Sequence, residues 1–352
     1  MMGKIPSNRQ EENPLQISGG KLHLWFPWAR SLGKLTSTLK TFSCQYKDGE
    51  DRLTIAIKHK DLLPVILLLM NLFSTEDQMD IKVLFQPDTR LTEPINKSNQ
   101  ADSLYNFLIF LQERWLKDLL LQEGKLSAVF QPIIHAGNLS KVYGLECFLR
   151  GMDNQQIIYP GPMLDMARNT NLVEDLDFIA RQIAINEAKK HNVQTKIFIN
   201  FIPTAIYQPQ TCLHSTASLV REVGLQPSQV VFEVIESQQI KDMEHLKGVL
   251  DHYRKAGFSV ALDDFGTGYS SLKVLNDLRP DYVKLSMELT RHIHQDSYKQ
   301  ILVEKTIETT RALGIKLIAE GVESQEECGW LVEHGADYLQ GFYLAKPSSL
   351  PF

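Results

Sequence analysis

Ala261-Leu262-Asp263-Asp264-Phe265-Gly266-Thr267-Gly268-Tyr269-Ser270-Ser271-Leu272 is the stretch on which the reading of this chain turns. Two acidic residues close an apolar run that starts at Phe258. A loop rich in glycine and hydroxyl side chains follows, and then a helical pattern begins. Adjacent carboxylates at a strand end repel each other and cost stability unless positive charge neutralises them. Divalent metal ions fit that need, so the run reads first as a metal and phosphate site.

From Lys125 onward the same unit recurs: a short apolar strand, a polar loop, an amphipathic helix. The pattern predicts strands at 128–134, 142–149, 196–201, 229–235, 259–263, 281–285, 316–320 and 337–344. It predicts helices at 162–169, 175–191, 215–223, 239–256, 270–277, 297–313 and 324–334. Alternation of strands and helices implies a parallel sheet. Eight strands in roughly 225 residues fit a closed (β/α)8 barrel, with a doubly wound open sheet as the alternative. The barrel is preferred because polar residues recur at so many strand ends.

Those residues are Glu146, Asn200, Glu233 with Glu236, Asp263 with Asp264, Lys284, Glu320 and Gln340. A single strand-end acid is usually a helix cap or a solvated loop residue. Here nearly every strand delivers a carboxylate, an amide or a lysine where barrel active sites form. Oxygen donors such as Glu146, Asn200, Glu233, Asp263, Asp264 and Glu320 favour hard cations, Mg²⁺ or Mn²⁺, over zinc. Two such ions can clamp a phosphodiester and generate hydroxide from water. Lys284 either orients or deprotonates that water, or forms a structural ion pair with Asp263 or Asp264. No histidine falls at these ends, and His292 and His294 are expected to be solvated.

The 352 residues suit two domains, and 43% hydrophobic with 22% charged residues is ordinary for a globular protein. A formal net charge of −5 argues against a DNA or RNA coat. Cys44, Cys147, Cys212 and Cys328 are widely spaced and fit a reducing cytoplasm. The apolar run Leu62 to Phe73 is too short to span a bilayer, so no membrane insertion is expected. Residues 1–20 read as a disordered tail and 21–100 as a small α+β domain. Within it, strands are expected at Leu22–Phe26, Arg52–His59 and Asp80–Phe85, with linker composition over 89–102. A helix from Ser103 to Gln122 (linker helix, 101–123) carries Leu104, Phe107, Leu108, Leu111, Trp115, Leu119 and Gln122 near one stripe. It packs on its own domain or serves as a dimerising signalling helix. The barrel takes 124–352.

With these residues in view, Lys125 to Pro347 resembles the EAL domains, the family of cyclic di-GMP-specific phosphodiesterases. The matching motifs are Phe130-Gln131-Pro132-Ile133, Glu146-Cys147-Phe148-Leu149-Arg150, Ile199-Asn200-Phe201-Ile202-Pro203 and Glu233-Val234-Ile235-Glu236. They continue through Asp263 to Gly268, Lys284, Ala319-Glu320-Gly321-Val322-Glu323 and Gln340-Gly341-Phe342. The resemblance implies metal ligation by Glu146, Asn200, Glu233, Asp263, Asp264 and Glu320, with Lys284 assisting the water. It implies that Glu236 holds the Asp-Asp loop and that Gln131, Arg150 and Gln340 contact cyclic di-GMP. It further implies hydrolysis to linear pGpG, a barrel with one strand antiparallel, and a homodimer formed near the Asp-Asp loop.

Four departures stand out: Cys147 and Phe148 in the signature, Ile202 for Ser, Ile235 for Thr, and Ser286 where an Asp commonly follows Lys284. Side-chain alternation turns Cys147 into packing and puts Phe148 on the face of Glu146. Two functions are therefore weighed: an active phosphodiesterase regulated by the N-terminal part, and a non-catalytic cyclic di-GMP receptor or interaction module.

Overall fold

Alternation in Arg52–Lys58 places Leu53, Ile55 and Ile57 on one face of a strand, and all three are buried. The computed structural model describes residues 19–27, 33, 35–36, 46–48, 52–58, 61–87, 101–153, 155–202, 209–235, 243–266 and 272–350. The chain divides into two compact units, Met1–Asp118 and Leu119–Phe352.

In the first unit, strands β1 (Gly19–Trp25), β2 (Tyr46–Asp48), β3 (Arg52–Lys58), β4 (Lys82–Pro87) and β5 (Asp102–Ser103) form an antiparallel sheet in the order β2-β3-β1-β4-β5. Leu22 and Leu24 of β1 and Val83 and Phe85 of β4 join its buried side chains. Helix α1 (Leu62–Leu72) buries Leu63, Val65, Ile66 and Leu69. The short α2 (Thr75–Asp80), not among the expected elements, is opened by a Ser74–Asp77 capping box. Two expectations are corrected. Gly19 and Gly20 belong to β1, paired with Lys58 and Ile57, rather than to a tail. Asp102 belongs to β5, paired with Val83, rather than to a linker. The rest of the expected tail, 1–18, and linker residues 89–100 lie outside the described residues. Helix α3 (Leu104–Leu121) buries Leu104, Phe107, Leu108, Leu111, Trp115 and Leu119, while Gln122 is exposed.

The second unit is a closed barrel. Its strands are β6 (Leu126–His135), β7 (Asn138–Asp153), β9 (Lys196–Phe201), β10 (Val230–Ile235), β11 (Ser259–Phe265), β12 (Tyr282–Leu285), β13 (Lys316–Ala319) and β14 (Tyr338–Leu339). A further strand, β8 (Gln156–Ile158), pairs antiparallel with the end of β7. Barrel neighbours are parallel except β6, which is antiparallel to both β7 and β14 and closes the ring. Helices α4 (Pro160–Thr170), α5 (Val173–Lys190), α6 (Pro209–Glu222), α7 (Met243–Lys255), α8 (Leu272–Leu278), α9 (Met287–Thr290), α10 (Ser297–Ala312) and α11 (Gln325–His334) connect the strands. The expected last strand, 337–344, shortens to two residues. The chain turns at Gly341, whose carbonyl accepts from the N–H groups of Leu344 and Ala345.

Ile133, Tyr143, Phe198, Val231, Ala261, Tyr282, Ile318 and Tyr338 pack as one layer inside the barrel, one residue from each barrel strand. This layer is a floor of side chains, not a pore. Tyr143 stacks on Tyr338 at 3.8 Å, and its hydroxyl lies 2.5 Å from that of Tyr282. Among the described residues no helix is long and apolar enough to cross a membrane.

Candidate active site

The floor fixes what stands above it. Inward positions on a strand recur every second residue. Two residues beyond Phe198, Val231, Ala261, Tyr282, Ile318 and Tyr338 come Asn200, Glu233, Asp263, Lys284, Glu320 and Gln340. On β6, which runs the opposite way, Gln131 stands two residues before Ile133. Glu146 comes three after Tyr143 because Tyr143 is an extra residue. The β6–β7 register steps from Ile133↔Gly144 to Ile134↔Val142, leaving Tyr143 without a partner. Gln131 is thereby opposite Glu146, and Glu233 is beside Asn200.

A second bulge explains the Asp-Asp pair. Neighbours on a strand point to opposite faces, so two adjacent carboxylates do not ordinarily share a site. The β11–β12 register moves from Leu262↔Val283 to Phe265↔Leu285, adding one residue to β11. Asp264 takes up the excess at φ 56°, a left-handed conformation that Asp tolerates better than most residues. One carboxylate oxygen from each of Asp263, Asp264 and Glu320 consequently lies within 4.8 Å of the other two.

Lys284 is at the centre. Its Nζ is 2.7 Å from Glu320 Oε1, 2.8 Å from Glu233 Oε1, 3.1 Å from Glu146 Oε2 and 3.2 Å from Asp263 Oδ1. Burial works to lower the Lys284 ammonium, yet Asp263, Glu146, Glu233 and Glu320 together hold it well above the usual amine range. Burial, then Glu146, pushes Glu233 well above the carboxylate range. Burial raises Glu320 likewise, against the pull of Lys284, and burial with Asp263 raises Asp264. One lysine pairs with four acids, and Asp264 stands beside them as a fifth. Both oxygens of Glu233 and Oδ1 of Asp263 are buried without a well-formed hydrogen bond.

Amides complete the cluster. Gln340 Nε2 donates to Glu146 Oε2 (2.7 Å) and Gln131 Oε1 (3.1 Å), Gln131 Nε2 to the carbonyl of Ala345 (3.0 Å), and Asn200 Nδ2 to Glu146 Oε1 (3.2 Å). Above lies a cavity of about 510 Å³ lined by Gln131, Glu146, Asn200, Asp263, Glu320 and Gln340, with Phe148 and an apolar wall. Glu233 and Lys284 sit buried beneath it. Arg150 does not line the cavity: its guanidinium lies 4.9 Å from the Tyr159 ring and 5.7 Å from Phe148, and donates to the Leu149 carbonyl. Glu236 lies outside the described residues. Cys147 is buried in the core around the barrel, as alternation required, although it also touches the cavity.

A family model described as the EAL domain matches residues 113–347. The chain belongs to the EAL domain family. The EAL barrel is 30% identical over 237 residues to "Probable cyclic di-GMP phosphodiesterase PdeG" of Escherichia coli, covering 64% of this chain and 45% of that one. It is 31% identical over 233 residues to "Cyclic di-GMP phosphodiesterase PdeR" of the same organism, covering 64% and 34%. A solved structure of a standalone versatile EAL protein from Vibrio cholerae O395, in its c-di-GMP bound form, is 33% identical. Its TM-score is 0.58, over 65% of this chain and 96% of that one. The chain thus spans less than half the length of the curated relatives it matches here.

Two residues of the EAL site were not foreseen. Asp177 lines the cavity yet is buried. Oδ1 accepts from Ile202 N–H at 2.9 Å and the carboxylate pairs with buried Arg181 at 2.8 Å. Burial raises this carboxyl, against Arg181 and the Ile202 N–H. The i,i+4 spacing of Asp177 and Arg181 looks in sequence like an exposed helix pair, so nothing marked it as internal. Arg168 also lines the cavity. His294, expected in solvent, is instead half-buried, with Nδ1 enclosed and unpartnered.

Proposed function

We propose that this chain is a metal-dependent cyclic di-GMP phosphodiesterase that opens one phosphodiester bond to give linear pGpG. The observation that carries the reading is the charge imbalance: Lys284 pairs with four acids, Asp264 stands beside them as a fifth, and Glu233 Oε2 is buried with no described partner. Such a set is costly without added cations. Its donors are oxygens throughout, which suits Mg²⁺ or Mn²⁺. Glu146, Asn200, Glu233, Asp263, Asp264 and Glu320 would hold two ions. Bound there, the ions supply Lewis acidity towards a phosphodiester and lower the pKa of a water.

The chain's own groups do the positioning. Gln340, braced by Gln131, fixes one oxygen of Glu146, and Asn200 fixes the other. Lys284, in contact with Glu146, Glu233, Asp263 and Glu320, would orient these carboxylates and assist the attacking water. The apolar wall of the cavity excludes solvent from bases lying on it. The N-terminal unit would act as a separate regulatory α+β domain, and two chains would pair near the Asp-Asp loop. Residues 267–271 of that loop lie outside the described residues.

The experiment is chromatography of product formed from cyclic di-GMP by the purified chain with Mg²⁺ or Mn²⁺. Appearance of pGpG supports the reading. One observation favours the receptor alternative: Ser286 is buried and neutral, its hydroxyl unpartnered, where a carboxylate is common in the family. Binding that survives chelation, with no turnover at any metal concentration, would establish that alternative.

A further inference from the structure

The cavity is chemically divided. Its floor carries the carboxylates, whereas the wall made by α4 and α5 is largely apolar, with Pro160, Met163, Leu164, Leu176, Ala180 and Ala184 around an Asp177 already paired to Arg181. On α4 the residues Pro160, Leu164 and Arg168 follow at four-residue spacing, so they share one stripe. Among the described residues that line the cavity, Arg168 is the one basic residue. Its side chain is 55% exposed, and its ion pair with Asp165 measures 3.4 Å. That is longer than a charge-assisted hydrogen bond, about 2.7–2.9 Å. The guanidinium is weakly held, at the edge of a wall suited to a flat ring.

We propose that Arg168 is a specificity-determining residue: it reads the O6/N7 edge of a guanine lying on the apolar wall. A guanidinium presents a rigid fork that matches two acceptors side by side, and guanine offers O6 and N7 in that arrangement. Adenine puts an amino donor in place of O6 and meets the fork with a like group. The inference deepens the cyclic di-GMP reading and rests on it for the ligand.

The test is equilibrium binding of cyclic di-GMP and of cyclic di-AMP to the full chain, for wild type, Arg168→Ala and Arg168→Lys. Wild type is expected to prefer the guanine ligand. Both variants are expected to lose about 10-fold or more in affinity for it, with little change for cyclic di-AMP. Lysine fails because it brings charge without the fork. Equal loss for both ligands, which is the mark of a phosphate contact or a folding defect, overturns the proposal. So do rescue by lysine, an unchanged ratio, and a wild type without preference. Hydrolysis is read separately. A chain that cleaves cyclic di-GMP with a ratio indifferent to Arg168 refutes only this inference. A chain whose preference Arg168 sets but that cleaves nothing refutes only the phosphodiesterase.

Discussion

Lys284 Nζ and Glu233 Oε1 stand 2.8 Å apart at the bottom of the site, with side-chain exposures of 1% and 0%. Neither charge has water to fall back on, so each depends on the other. Lys284→Met would leave Glu146, Glu233, Asp263 and Glu320 without their shared cation. Removing one partner of a buried pair costs about 3–5 kcal/mol. The metal-free variant is expected to unfold at clearly lower denaturant, and saturating Mn²⁺ to recover part of the loss by binding the folded state. An unchanged midpoint without metal would show that Lys284 does not bear this charge.

Proton release on metal binding follows from the same burial. Glu233 and Glu320 are both raised well above their ordinary 4.5. A carboxyl that holds its proton more tightly folded than unfolded contributes stability that is complete below its unfolded value. That contribution is lost as pH rises through the folded one. Lys284, raised above 10.5, adds stability lost only at higher pH still. Above about pH 4.5, then, the metal-free chain weakens with rising pH while metal affinity climbs, because ligation needs the ionised carboxylates. Calorimetry of Mn²⁺ binding near pH 6, in two buffers of different ionisation enthalpy, should report net proton release. Zero release would remove this picture of the site.

The Gln131 side chain reaches Glu146 by hydrogen bonds only through Gln340, which donates to both. Loss of such an outer partner typically lowers metal affinity or activity about 10–100-fold. Gln131→Ala is expected to fall in that range with its fold intact by circular dichroism. Affinity equal to wild type would make the amide chain mere packing.

Gly341 is pressed onto the backbone of Val322, where a Cβ would collide with its N, C and O atoms. Gly341→Ala must therefore displace the turn that carries Gln340. Overpacking of this kind costs about 1–3 kcal/mol. A lowered melting temperature together with weakened metal binding is expected; full stability and affinity would place the turn elsewhere.

Much of this was legible because barrel geometry turns sequence spacing into position. Asn200, Glu233, Asp263, Lys284 and Glu320 are found by asking which polar residue ends each apolar strand. What spacing did not reveal are the places where the backbone leaves its period. The bulges at Tyr143 and Asp264 decide that Glu146 and both aspartates face inward, and neither has a signature of its own. The last strand ended early because Gly341 turns the chain, while Gln340 still continues the ladder to Ala319. For long side chains the difficulty is burial: Arg150 on β7 rests against aromatic rings while Arg168 on α4 lines the cavity, and both are simply arginines in the sequence.

The most direct test of the central claim is pGpG formation from cyclic di-GMP by wild type and Glu146→Ala, with Mg²⁺ or Mn²⁺ and after chelation. Metal-dependent product from wild type, abolished by EDTA and by the substitution, is the predicted result. No product from wild type at any metal concentration, or equal product from Glu146→Ala, would contradict it.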